Sequence, residues 1–168
     1  MRVILVSVLA LFILSCDGGL APPPLVEPGF GGTITFLRST WPSRDSLVNL
    51  WLVASQEYPL DSVKIFTGIF SNPPRIYIYP GFDRNLVDFD NPVDTLSYEF
   101  FLPPGEYKYI CVLHRFKNEI NARAIRVVGL YGTATNPPQP IPVVVRDFEF
   151  VKPINITVNF HQLPPQPF

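Results

Sequence analysis

The side chains with the means to do chemistry in this 168-residue chain are two histidines, two cysteines and a scatter of carboxylates. His114 and His161 lie far apart in sequence. His114 ends an apolar run and reads as a satisfied surface or rim residue, and His161 opens a C-terminal tail and reads as solvated. No H-E-x-x-H, paired-cysteine zinc motif, G-x-S-x-G or phosphate-binding glycine loop is present. Glu99, Glu106 and Glu119 surround one pair of apolar runs. Meeting in a cleft they would form the paired carboxylates of acid–base catalysis, but Glu99 and Glu106 are expected at opposed, outward positions near one hairpin. The stretch 81–95, GFDRNLVDFDNPVDT, is the most acidic. Asp83, Asp88 and Asp90 are its calcium candidates, because calcium needs several converging oxygens. Their spacing is not that of an EF-hand loop, and Asp and Asn side chains also cap ordinary turns. The expectation is a chain that is not an enzyme, with no catalytic residue, no cofactor and no resident metal.

Binding is the better supported chemistry. Trp41, Trp51, Tyr58, Tyr77 and Phe82 fall outside the favoured core positions. They either stack on a sugar or peptide or cover the flanks of a sheet. Charged residues make up 16% of the chain and the formal net charge is −1, which leaves no basic field for nucleic acid. The expected partner is another protein, with a glycan, taken by a carbohydrate-binding module, as the alternative.

The elements that would position these residues are strands between proline-marked turns. The 20 prolines come in clusters, at about twice the usual share of roughly 5%. The central stretch is 96–116, LSYEFFLPPGEYKYICVLHRF, in which two apolar runs flank Pro103-Pro104-Gly105. Tyr107, Tyr109, Cys111 and Leu113 share one face, expected to look into the core. Tyr107 follows the turn, and its phenol is expected to hydrogen-bond across the loop. Cys111 reads as a small buried hydrophobe. Thr33 to Leu37, Leu47 to Ala54, Arg75 to Tyr79, Arg123 to Tyr131 and Ile154 to Phe160 read as further strands. Val143 to Val145 and Phe148 to Val151 are short β runs, read together as one strand with a bulge at Arg146-Asp147 or as two. In the second run of this set Val48, Leu50, Leu52 and Ala54 form the favoured core face, and Trp51 points the other way. Val63 to Ile69 reads either as a strand or as an excursion between strands, and no run combines a helical period with caps. The expected fold is all-β: a seven- to eight-stranded antiparallel β-sandwich over residues 31–160, followed by a loose tail at 161–168.

The N-terminus reads as an address. Arg2 precedes an apolar run, Val3 to Leu14, too short for a comfortable span of about 20 residues. It ends in Ile13-Leu14-Ser15-Cys16, and this resembles the lipobox of bacterial lipoprotein signal peptides, with Leu14 bulkier than usual at its position. The resemblance implies a signal helix over 1–15, cleavage before Cys16, lipid attachment at the thiol and acylation of the new amine. Residues 16–30 are the lipidated Cys and a Gly/Pro-rich tether. The resulting location is a bacterial cell envelope, lipid-anchored and facing the periplasm or cell exterior. Asp17 resembles the retention signal of enterobacterial inner-membrane lipoproteins, but the choice of membrane stays open. With Cys16 as a thioether, a Cys16–Cys111 disulfide is not expected.

The order of features in the domain resembles the carboxypeptidase regulatory-like, or transthyretin-like, family of seven-stranded sandwiches, with an immunoglobulin-like layout. The resemblance rests on the opening Gly-Gly-Thr-Ile-Thr-Phe at 31–36, the run LVNLWLVA, the phrase Phe100 to Tyr107 (FFLPPGEY), similar to that family's L-x-P-G-x-Y, and the closing INITVNF. The stretch 55–95 departs from the compact pattern and reads as an insertion. The family has no shared active site, so the resemblance implies a scaffold rather than a reaction.

Overall fold

A computed structural model describes residues 25–119 and 121–167. The expected signal helix over 1–15 and the lipidation residue Cys16 lie outside the described residues. In chain order the elements are β1 (Gly29–Phe36), β2 (Asn49–Ser55), α1 (Ser62–Phe70), β3 (Ile76–Tyr79), β4 (Thr95–Phe101), β5 (Gly105–Tyr107) and β6 (Tyr109–Arg115), followed by β7 (Ile125–Leu130), β8 (Gly132–Thr133), β9 (Gln139–Pro140), β10 (Val143–Val145), β11 (Phe150–Val151) and β12 (Ile156–Val158).

Eight strands form one sheet, with β4 on one edge of β1 and the path β11-β1-β12-β7-β6-β2-β3 continuing from the other. The sheet is mixed. β1 pairs antiparallel with β4, from Gly29 opposite Phe101 to Thr35 opposite Thr95. Its other edge pairs in parallel, first with β11 and then with β12, with Ile34 opposite Ile156. The expectation of a wholly antiparallel sandwich is corrected here. The sequence shows alternation but not direction, and parallel pairing needs only that the returning chain start at the same end. The sheet curls toward a barrel: Tyr79 on β3 packs against Phe100 on β4, ring centroids 5.3 Å apart, although these two strands are not hydrogen-bonded neighbours.

The inner face carries the main core. Phe30, Ile34 and Phe36 of β1 meet Leu50, Leu52 and Ala54 of β2, Ile110 and Val112 of β6, and Ile154, Ile156, Val158 and Phe160 around β12. A small separate pairing, β5 with β10, adds Tyr107, Val143 and Val145 to the same core. Val143 to Val145 and Phe148 to Val151 are therefore not one bulged strand, since β10 pairs with β5 and β11 with β1.

The two-sided apolar character of β2 has a direct cause. Leu50, Leu52 and Ala54 face inward, while Trp51 and Val53 face a second cluster with Leu60, Ile65, Ile76, Tyr109, Cys111, Leu113, Val127 and Leu130. The cover over this outer face is α1. Asp61 caps it, its carboxylate accepting the Lys64 N–H at 2.8 Å, and Ile65 and Ile69, one turn apart, reach the sheet. The segment Val63 to Ile69 is thus an excursion between β2 and β3 and not a strand, and it is helical although no helical period with caps reads from the sequence. It is short, and a nine-residue helix forms through packing more than propensity.

The same geometry corrects the face expected of the 107–113 run. Tyr107 belongs to the inner core, but Tyr109, Cys111 and Leu113 lie in the outer cluster under the helix. The strand is interrupted at exposed Lys108 between β5 and β6, so the period-two count does not carry across it. The phenol of Tyr107 does close the proline turn, donating to the Pro103 carbonyl at 2.7 Å.

Loops complete the shell. In 81–95, Leu86, Val87 and Phe89 are buried in the main core, and the loop is tied to β2 by Leu86 N–H donating to the Leu50 carbonyl at 2.9 Å and by Asn85, whose side-chain oxygen accepts from Leu50 N–H at 3.1 Å. The C-terminal tail docks rather than hanging loose. Gln166 pairs with the backbone of Val127, accepting its N–H at 2.7 Å and donating to its carbonyl at 3.1 Å, as a neighbouring strand would.

Two substitutions test this packing. Gly32 lies where the chain between β11 and β12 crosses β1, and a Cβ there collides with the Ile154 carbonyl. Gly32→Ala is expected to lower unfolding free energy by roughly 2–4 kcal/mol, read from urea denaturation. Tyr107→Phe, which removes only the turn-closing hydrogen bond, is expected to cost about 1–2 kcal/mol in the same assay.

Candidate functional site

His114 is the strongest candidate by chemistry and the structure gives it a structural place. It sits on β6, between β2 and β7, and is fully buried, not at a rim as expected from its position at the end of the apolar run. Its Nε2 donates to the Ser46 carbonyl at 2.8 Å, which leaves Nδ1 to accept from Arg126 Nε at 3.3 Å. Phe160 packs its edge against the ring, centroids 5.3 Å apart. Burial lowers the imidazole pKa to about 4, with the Arg126 charge acting the same way and the Ser46 carbonyl opposing it. Both ring nitrogens are engaged, and a group this hard to protonate is poorly matched to proton transfer at neutral pH.

The carboxylates do not converge. Glu99 pairs with Lys152 at 2.7 Å, Glu106 lies 3.9 Å from Lys108, and Glu119 accepts from Asn121 at 2.7 Å. The acidic loop behaves as a turn-capping segment. Asp88 accepts from Asp90 N–H and from the Asn91 amide at 2.9 and 2.8 Å, and these bonds hold its carboxyl below the usual range. Asp90 is paired with Arg44 at 3.0 Å, and Asp83 lies 4.0 Å from Arg84. Among the described residues no group of three or more His, Cys, Asp or Glu is placed to hold a metal ion. Cys111 is buried beneath α1 with its thiol pKa pushed well up by desolvation, as a small hydrophobe's would be.

The five aromatics are distributed rather than gathered. Trp41 is wedged between Phe36 and Phe160, 5.1 Å from each ring. Tyr58 stacks on Tyr109 at 5.2 Å and donates its hydroxyl to the Pro138 carbonyl at 3.0 Å. Tyr77 meets Tyr107 edge-on at 5.8 Å, toward the inner core. Trp51 is buried on the outer face, its indole N–H donating to the Arg84 carbonyl at 3.0 Å, and only Phe82 beside it is exposed. Phe82 stacks on exposed Phe70 at the end of α1, 6.3 Å away and nearly parallel. Phe70 was not foreseen, because its exposure depends on the helical turn of a segment that did not read as a helix.

An open groove of about 860 Å³ lies on the outer side of β4, β1 and the segment before β12. Tyr79 and Phe101 supply apolar walls, and Ser97, Asn155 and the Glu99–Lys152 pair supply polar groups. These groups can exchange hydrogen bonds with a polar or extended ligand, and none is an activated nucleophile or a base with a partner. A second cavity, of about 20 Å³, lies between α1 and the sheet and is lined by apolar side chains with Tyr109 and Cys111. It has room for about one water.

No protein-family model, no curated protein and no solved structure matches this chain.

The buried imidazole makes stability depend on pH. His114 has a folded pKa of about 4 against 6.5 for a free side chain, so the unfolded chain binds the extra proton between these values. Stability is then fully present above pH 6.5 and falls as pH drops toward 4, by about 3 kcal/mol from this group. Urea melts across that window are expected to show the slope in the native chain and to lose most of it in His114→Gln.

Proposed function

We propose that this chain is a non-enzymatic lipoprotein of the bacterial cell envelope, whose single β domain serves a structural or protein-interaction role. The observation that carries the reading is Ile13-Leu14-Ser15-Cys16, placed where the apolar run Val3–Leu14 ends and a Gly/Pro-rich tether begins. Such an order suits cleavage before Cys16 and anchoring through several acyl chains, which hold a protein at a bilayer where one chain is marginal. The burial of Cys111 beneath α1 favours the Cys16 thiol as a lipid acceptor over a disulfide partner. Among the described residues no helix is long and apolar enough to cross a membrane, and the anchor would supply the attachment.

The interaction role is supported by what the candidate chemistry is occupied with. The nitrogens of His114 and the carboxylates of Glu99, Glu106 and Glu119 are spent on separate neighbours. The proposal extends to the fold of the domain, a transthyretin-like sandwich. Its support is FFLPPGEY with Tyr107 closing on Pro103 and the core face of INITVNF, in which Ile154, Ile156, Val158 and Phe160 are all buried. A partner in the envelope would use the stacked Phe70 and Phe82.

Intact mass of the membrane-extracted protein tests the anchor. The expected result is a chain starting at Cys16 and carrying diacylglycerol plus an amide-linked acyl chain, with Cys16→Ser retaining the uncleaved, unmodified mass. A native protein without lipid mass overturns the reading.

A further inference from the structure

We propose that the end of the domain where β1 begins, at which Phe101, Phe148 and Phe150 gather around Gly29, rests on the bilayer that holds the lipid anchor. The inference builds on the lipoprotein reading above and adds an orientation to it. Gly29 is opposite Phe101 on one side and Phe150 on the other, and those two rings lie 5.5 Å apart. Its N–H donates to the Glu149 carbonyl at 3.1 Å, which brings the turn before β11 to the same place.

Phe148 forms that turn. Its φ is +59°, the only positive value of a non-glycine residue among the described residues, and its side chain is 64% exposed. A bulky residue in the left-handed region is strained, and here no burial offsets the strain. Phe101 is 52% exposed. Apolar side chains grouped at one exposed rim form a surface suited to an apolar phase.

The path of the chain indicates which phase. Leu25 and Val26, also exposed, lead from the tether into Pro28, whose carbonyl accepts the Leu102 N–H at 3.0 Å. Nine Cα–Cα steps separate Cys16 from Leu25, so the tether reaches about 30 Å at most. The chain enters the domain at the phenylalanine rim, where Pro28 meets Leu102 and Gly29 lies opposite Phe101, so the tether leaves from that end. The other end of β1, about 26 Å away along the strand's eight residues, carries the exposed Arg38–Asp94 pair and Ser39. Cations at the rim are already paired, Arg146 with Glu149 at 3.0 Å and Lys152 with Glu99 at 2.7 Å. Contact is thus apolar, in the manner of interfacial insertion, and does not require anionic lipid.

The test uses the full chain purified from membranes, its lipid mass verified, and reconstituted on phosphatidylcholine vesicles. Asp147→Cys and Ser39→Cys are each labelled with an environment-sensitive fluorophore, the labelled native chain being the blank for Cys111. The expected result is a blue shift and several-fold stronger quenching by lipid-borne nitroxide at position 147 than at 39. Adding Phe148→Ser and Phe101→Ser to Asp147→Cys should abolish most of that difference. Equal quenching at both positions, or water-like emission at 147 on a chain with verified lipid mass, overturns the orientation and leaves the anchor standing. A shift at 147 already present without vesicles assigns the rim to protein contact and also overturns it. A chain without lipid mass removes the anchor reading and this proposal together.

Discussion

The structure depends on β1 using both of its edges. One edge holds β4 in antiparallel register, and the other holds β11 and then β12 in parallel. That double use joins β4 to the path that runs through β12 to β3 in one sheet. Phe30, Ile34 and Phe36, fully or almost fully buried, then face the inner sides of β2, β6 and β12 across a single core. The close passage of the 152–155 segment over Gly32 is the steric condition for this arrangement, because any side chain there would meet the Ile154 backbone. Burial of the curled inner face is the dominant favourable term, and β1 is the strand through which it is made contiguous.

From that constraint the secondary layers follow. A central sheet whose strands are apolar on both faces needs a cover on the outside, and α1 with Tyr58 supplies it over Trp51, Val53, Tyr109, Cys111 and Leu113. The loop containing Leu86, Val87 and Phe89 covers part of the inner core, and Gln166 of the tail fills a missing strand position beside Val127. The polar side chains singled out by their chemistry are used in this construction. His114 joins the turn at Ser46 to β7 through Arg126, and Asp88 and Asn85 fix loop geometry.

Much of the sheet was legible in the sequence because period-two alternation reports burial directly. Ile154, Ile156, Val158 and Phe160 are all core residues, Leu50, Leu52 and Ala54 face inward, and Trp51 faces outward. Strand direction was not legible, since parallel and antiparallel partners present the same alternation. Nor was the face switch at Lys108, where one unpaired residue between β5 and β6 reverses the count, leaving Tyr107 in one cluster and Tyr109 in the other. The helix was masked by its β-branched composition and short length, although Asp61 three residues before Lys64 was a readable cap. Of the aromatic surface, Phe82 is exposed as read, whereas Trp41 and Trp51 are packed against neighbouring rings. Phe148 could not be found from composition, because its exposure and its φ both arise from the turn between β10 and β11.

Native-state amide hydrogen exchange tests the role of β1 most directly. If β1 unites the two parts of the sheet, the amides that bond it to β4 and β12 open only with the whole domain, and their exchange free energies equal the global unfolding value. Amides of the edge strand β3 exchange at lower free energies in the same experiment. Exchange of the β1 amides through local opening, at free energies below those of β3, would contradict the account.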